Sequence, residues 1–237
     1  MQRIPTAAAP VRRVLVIGRA LIATAILAAV IGQLRTSIAF WTARGDASIP
    51  LDVLNYFSFF TIQANLLTML ALGALVAAQL GRRRVGRLLE VMLLCATTYM
   101  VAMGLVYGTL LRDVELQQGA TLQWANEVLH HIAPLWMLTD WLLSGRKRAV
   151  RYRDLGIVVV FPVAWLAYTL ARGPVTPNQV NGRDWWYPYP FLDPAIHASG
   201  HGGVAIVCAM IAAAVVLSAA LLVAYARWRG RASGRLV

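Results

Sequence analysis

The chain reads as an all-α integral membrane protein, a bundle of six transmembrane helices with both termini in the cytoplasm. Three observations predict this. Of 237 residues 59% are hydrophobic, and the mean hydropathy of +0.62 is far from that of an ordinary soluble domain. Six apolar runs have spanning length, near residues 14–39, 54–80, 88–111, 124–143, 155–171 and 202–228. The basic residues between them alternate sides. No repeat or soluble domain is evident, so residues 1–237 form one membrane domain with an outer aromatic loop over 172–201.

The first run follows Arg3, Arg12 and Arg13 but is longer than a signal-peptide apolar region and has no convincing cleavage pattern, so it reads as a span. Arg19, just inside it, is expected to snorkel to the cytoplasmic face. The second linker holds Arg82, Arg83, Arg84 and Arg87; the fourth holds Arg146, Lys147, Arg148, Arg151 and Arg153; Arg227, Arg229, Arg231 and Arg235 end the chain. The other linkers carry only Arg44, Arg112, Arg172 and Arg183, diluted by Asp46, Asp52, Asp113, Glu115, Asp184 and Asp193. The fifth run is the shortest and contains Pro162. A net charge of +12 dispersed in this way does not form the single basic face that nucleic acid requires. Richness in Ala, Arg and Gly with one lysine points to a bacterial plasma membrane. Cys95 and Cys208 lie within apolar runs and read as packing residues rather than a disulfide.

Outer-side Trp41, Tyr56, Tyr107, Trp124, Trp185, Trp186, Tyr187 and Tyr189 suit the membrane interface. In WWYPYPFLDP, Pro188, Pro190 and Pro194 prevent regular helix, leaving an interfacial anchor or a lid over an outward-facing cavity. Gly104 and Gly108 in the third run fit close helix packing. Glu90 and Asp154 are expected to pair with neighbouring arginines, and Tyr99 and Tyr168 to bond across helices.

The second run carries Ser58, Thr61, Asn65 and Thr68 at steps of three, four and three, which on one helix form a polar stripe. Interhelical hydrogen bonding accounts for such a stripe; so does a wet cavity. The fourth run begins QWANEVLHHIAPLW, in which Asn126/His130 and Glu127/His131 are each four apart. Ionisable groups inside a span mark function by default. At ~1.5 Å per residue, Thr61 and His130 lie roughly 10 Å and 9 Å below their outer helix starts. His197 and His201 sit where the sixth span enters from the same side, so polar chemistry from three spans converges on one level; Gln33, in the outer half of the first span, is not counted among the site residues. A hydroxyl becomes a nucleophile beside a base such as histidine, and Asn65 or Asn126 would orient the imidazole or stabilise an oxyanion.

At these residues the chain resembles the androgen-induced (FAR/AIG-like) family of six-span membrane threonine hydrolases and its bacterial branch. The resemblance rests on FFTIQAN in the second run, NEVLH in the fourth, and the six-span plan. It implies a Thr nucleophile and a His base that cleave a lipid ester, here Thr61 and His130, with membrane lipids and a lipid-like ester as partners and no cofactor. Ser58, one turn away, is the alternative nucleophile, and Asn65, Asn126, Glu127 and His131 are supporting residues. Two other classes compete. A metal-dependent membrane enzyme would use His197 and His201 with Glu127, His130 and His131, although glycines around His201 weaken a helix through the pair. A non-enzymatic transporter or sensor would relay protons through His130, Glu127 and Asp140, but no duplicated half is visible.

Overall fold

The computed structural model describes residues 9–112, 114, 119–144 and 150–234, and these are helical with no strand among them. Arg3, Asp113, Glu115, Arg146, Lys147, Arg148 and Arg235, invoked in the charge pattern, lie outside the described residues. The helices are α1 (Ala9–Arg44), α2 (Ile49–Ser58), α3 (Phe60–Leu80), α4 (Arg87–Val106), α5 (Gln123–Glu127), α6 (Ala133–Leu143), α7 (Leu155–Arg172) and α8 (His201–Gly234). Two π turns extend or join them: Tyr107–Leu111 continues α4, and Val128–Ile132 links α5 to α6 without a break.

Five helical stretches among the described residues are long and apolar enough to cross a membrane: Val11–Arg44, Phe60–Leu80, Arg87–Leu111, Tyr152–Val175 and His201–Arg231. The predicted span over 124–143 forms a helix, but Asn126, Glu127, His130, His131 and Asp140 dilute its apolar character, and it is not among the five. At the centre stands α4, whose residues from Leu93 to Met100 are all buried and which contacts α3, α6, α7 and α8. By contrast α7 buries only Val158 and Thr169 and stands at the periphery, against α8.

The predicted run over 54–80 is broken. Phe59 adopts an extended conformation (ψ 129°) and separates α2 from α3, so Ser58 does not share a helix with Thr61, Asn65 and Thr68. A break in an apolar environment leaves backbone groups that must find partners inside the protein. Here each has one. Gln63 Nε2 donates to Phe57 O (2.8 Å), Trp165 Nε1 donates to Ser58 O (2.9 Å), and the Thr61 N–H donates to the Tyr189 hydroxyl (3.1 Å). Pro162 poses the same problem within α7, since its ring removes the hydrogen bond to the carbonyl four residues earlier. That carbonyl belongs to Val158, and the Tyr99 hydroxyl donates to it at 2.7 Å. The expected cross-helix bond of Tyr168 also forms, to Ser58 Oγ at 3.2 Å.

Arg19 does not snorkel. It is buried and donates to Asp140 Oδ1 at 2.9 and 2.6 Å and to Gln79 Oε1 at 2.9 Å, tying α1 to α6 and α3. Shielding from water strengthens this pair, and the Gln79 amide takes up a further guanidinium donor. Arg87 bonds Asp154, as expected for a carboxylate beside a basic linker. The α6 end is capped from α8: Tyr225 OH (2.8 Å) and Arg229 both donate to Leu142 O.

The outer segment is not an interfacial girdle. Trp186, Tyr187, Pro188 and Tyr189 are buried, as are Trp41, Tyr56 and Tyr107; among these outer aromatics Trp124 remains well exposed. The reason is a close approach at Gly173: a Cβ there would lie 2.2 Å from the Tyr187 ring, while the Trp186 N–H bonds Gly173 O at 3.0 Å. The segment thereby folds inward over the bundle. Gly104 likewise lets Pro134 approach, whereas Gly108 faces open space.

Candidate functional site

Two cavities meet at the polar residues. The larger, about 170 Å³, is walled by apolar side chains of α3, α4, α7 and α8 and roofed by Tyr189, Phe191 and Leu192 of the outer segment. A smaller chamber of about 20 Å³ lies between α1, α3 and the second π turn and includes Gln33, Phe59, Asn126 and Leu129. Thr61 and His130 line both. Thus the hydroxyl and the imidazole singled out in the sequence stand at the junction of an apolar and a polar space. No direct hydrogen bond joins them among the described residues.

His130 is buried, and its Nδ1 lies 3.1 Å from Asn126 O. A carbonyl only accepts, so Nδ1 carries the proton and Nε2 holds a lone pair, the tautomer a general base needs. The Tyr107 ring stacks on the imidazole at 4.1 Å between centroids, and the Tyr107 hydroxyl accepts from Asn126 Nδ2 at 2.7 Å. Both stacked residues belong to π turns. Such turns recur at functional sites because the shifted pairing alters the helical register; here the Ala133 N–H reaches Val128 O, five residues back.

Thr61 sits in the first turn of α3, just after the break, where its N–H lacks an intrahelical partner. Tyr189 supplies one, and its hydroxyl also lies 3.0 Å from Thr61 Oγ1. Tyr189 is held by stacking on Phe191 (5.2 Å) and an edge contact with Phe59 (5.5 Å). The sequence reading placed Tyr189 at the membrane surface and missed this role; only the prolines around it hinted at a lid. Asn65 donates to Thr61 O at 2.9 Å and to Leu129 O at 3.3 Å, bridging the residue that carries the hydroxyl to the one before His130. Its amide donors are therefore committed to backbone carbonyls rather than to an oxyanion. Asn126 orients the imidazole through its main chain.

Other sequence candidates fall elsewhere. Ser58 Oγ donates to Leu54 O (2.7 Å) and meets Tyr168 OH and Arg172 Nη1 (3.3 Å); it lines neither cavity and has no imidazole neighbour. Thr68 is buried and bonded to Ala64 O. His131 is exposed and pairs with Glu127 at 3.0 Å. His197 bonds Phe191 O at 3.0 Å and packs on Gly203, while α8 begins only at His201. Among the described residues no three His, Cys, Asp or Glu side chains are gathered as a metal site.

The large cavity reaches residues that are not buried. Val163 of α7 and Ala212 of α8 line it yet are exposed on the outer surface of the bundle. The space is apolar, with a hydroxyl and an imidazole among its lining. Comparison with protein-family models, curated proteins and solved structures gives no match.

Proposed function

We propose that the protein is an intramembrane hydrolase of lipid esters, with Thr61 as nucleophile and His130 as base. The observation that carries this reading is that these two residues line both the apolar cavity and the polar chamber. The substrate chain occupies the apolar cavity, entering between α7 and α8, and its carbonyl meets Thr61 Oγ1. His130 Nε2 removes the hydroxyl proton as Oγ1 attacks the carbonyl carbon; the ester C–O bond breaks, and the alcohol leaves with that proton. The Tyr189 O–H, held at the α3 N-terminus by the Thr61 N–H that donates to its oxygen, is the donor for the developing oxyanion. Water then releases the acid and restores Thr61. The resemblance of FFTIQAN and NEVLH to androgen-induced hydrolases supports the same assignment. The setting belongs to the proposal too: six spans, with the 124–143 helix as the polar one, in a bacterial plasma membrane, with cytoplasmic termini, an orientation that the arginine alternation supports.

The test is labelling of detergent-purified protein by a fluorophosphonate probe. Wild type and Ser58→Ala are expected to label, and Thr61→Ala and His130→Ala to lose labelling by at least about 10²-fold. Labelling that survives Thr61→Ala refutes the nucleophile, and a folded wild type that does not label refutes the hydrolase.

A further inference from the structure

The polar chamber has a use that the acyl-chain cavity cannot supply. Its volume of about 20 Å³ exceeds the ~10–15 Å³ that one water requires, and a buried water also needs two to four polar partners. Gln33 spends both amide hydrogens, on Ser37 Oγ (2.9 Å) and Ala120 O (2.8 Å), while its Oε1 accepts the Leu122 N–H (2.8 Å) with one lone pair. Among the described residues no other donor takes its second lone pair. Asn126 gives one amide hydrogen to Tyr107, keeping another and its Oδ1. His130 and Thr61 complete the polar lining. Phe59, Ile62 and Leu129 supply the rest of the lining.

We infer that this chamber holds the hydrolytic water and that Gln33 and Asn126 are its positioning residues. The inference rests on the hydrolase reading and assigns the two reactants to separate rooms. The acyl group arrives from the lipid side; water waits on the α1 side; Thr61 and His130 stand between. In deacylation the water oxygen attacks the acyl carbon, and His130 Nε2 takes one water proton. The Thr61 Oγ1–acyl bond breaks, and Oγ1 receives that proton from His130, so the acid leaves and both residues return to their starting state. The water thus approaches from a side the chain does not block, and the apolar cavity need never be wetted.

Two variants narrow the chamber from different walls: Leu129→Phe and Ile62→Phe each fill it with a larger ring. With a chromogenic long-chain ester, rapid-mixing kinetics separate the acylation burst from steady turnover, and intact mass reports acyl-enzyme. The expected result is a burst rate within about twofold of wild type, turnover at least tenfold slower, and stoichiometric acyl adduct on Thr61. Turnover at the wild-type rate in a well-folded variant overturns the inference, as does an equal loss in both steps for both variants. An experimental map of wild type resolving ordered water should show one molecule within hydrogen-bonding reach of Gln33 Oε1 and His130 Nε2; a dry chamber overturns the inference without any appeal to activity. A wild type that forms no acyl-enzyme refutes the hydrolase instead, leaving that map to decide the water site.

Discussion

Tyr189 reaches Thr61 from 128 positions further along the chain, and its hydroxyl touches both the backbone N–H and Oγ1. If it donates to the oxyanion, Tyr189→Phe lowers kcat by about 10²-fold with KM little changed, in line with loss of one oxyanion donor. Hydrolysis of a long-chain ester in mixed micelles reads this directly, and unchanged kcat removes Tyr189 from the chemistry. The adjacent histidines diverge: His130 is buried with a fixed tautomer, whereas His131 is exposed and paired with Glu127. At this scale the sequence was informative where spacing alone carries the contact. The four-residue step from Asn126 to His130 does become a bond, though through the Asn126 carbonyl. The Tyr189 contact has no local signature, because nothing near Thr61 names a partner so far along the chain.

Helix interruptions organise the site at the next scale. The break at Phe59 frees the Thr61 N–H, two π turns bring Tyr107 onto His130, and Pro162 frees a carbonyl for Tyr99. Only the last was legible in advance, since proline announces its defect. The stretch NYFSFFTIQ contains neither Gly nor Pro, and its break becomes tolerable through Gln63, Trp165 and Tyr189. A π turn differs from α by one shifted hydrogen bond, too little to alter apolar periodicity. The Tyr99–Val158 bond has a measurable consequence. Tyr99→Phe leaves a buried carbonyl unpaired and destabilises the protein by about 1–3 kcal/mol. Adding Pro162→Ala restores an N–H opposite Val158 O, so thermal unfolding in detergent should show the double variant losing less than Tyr99→Phe alone.

Over the whole molecule, the apolar spans were readable and their contacts were not. Hydropathy identifies a helix long enough to cross a bilayer, but Arg19 paired with Asp140, 121 positions away, looks in sequence like a residue bound for the lipid surface. The outer segment is fastened at a second place: Gln179 Oε1 accepts from the Ser48 N–H (2.7 Å), and its Nε2 donates to Ser48 O (2.9 Å). Beside this clasp, burial foremost pushes the Asp52 carboxyl up to about 6, with Asp46 adding to the rise and Gln179 and Arg44 opposing it. Arg44 holds Asp46 below the ordinary range. Because the folded-state value of Asp52 is raised, its stabilising contribution is complete below about pH 4 and disappears as pH rises through about 6. Between about pH 4 and 6 the melting temperature of wild type should therefore decline, and Asp52→Asn should flatten that slope.

On the proposed route, in which the substrate enters past Val163 and Ala212, concentration takes on a different meaning for this protein. A ligand admitted from the side is counted per lipid molecule, not per volume of water, and its rivals are the ordinary tails drifting past the same two helices. Occupancy then follows mole fraction in the leaflet, so thinning the ligand with inert lipid empties the cavity even when its amount in the suspension is unchanged.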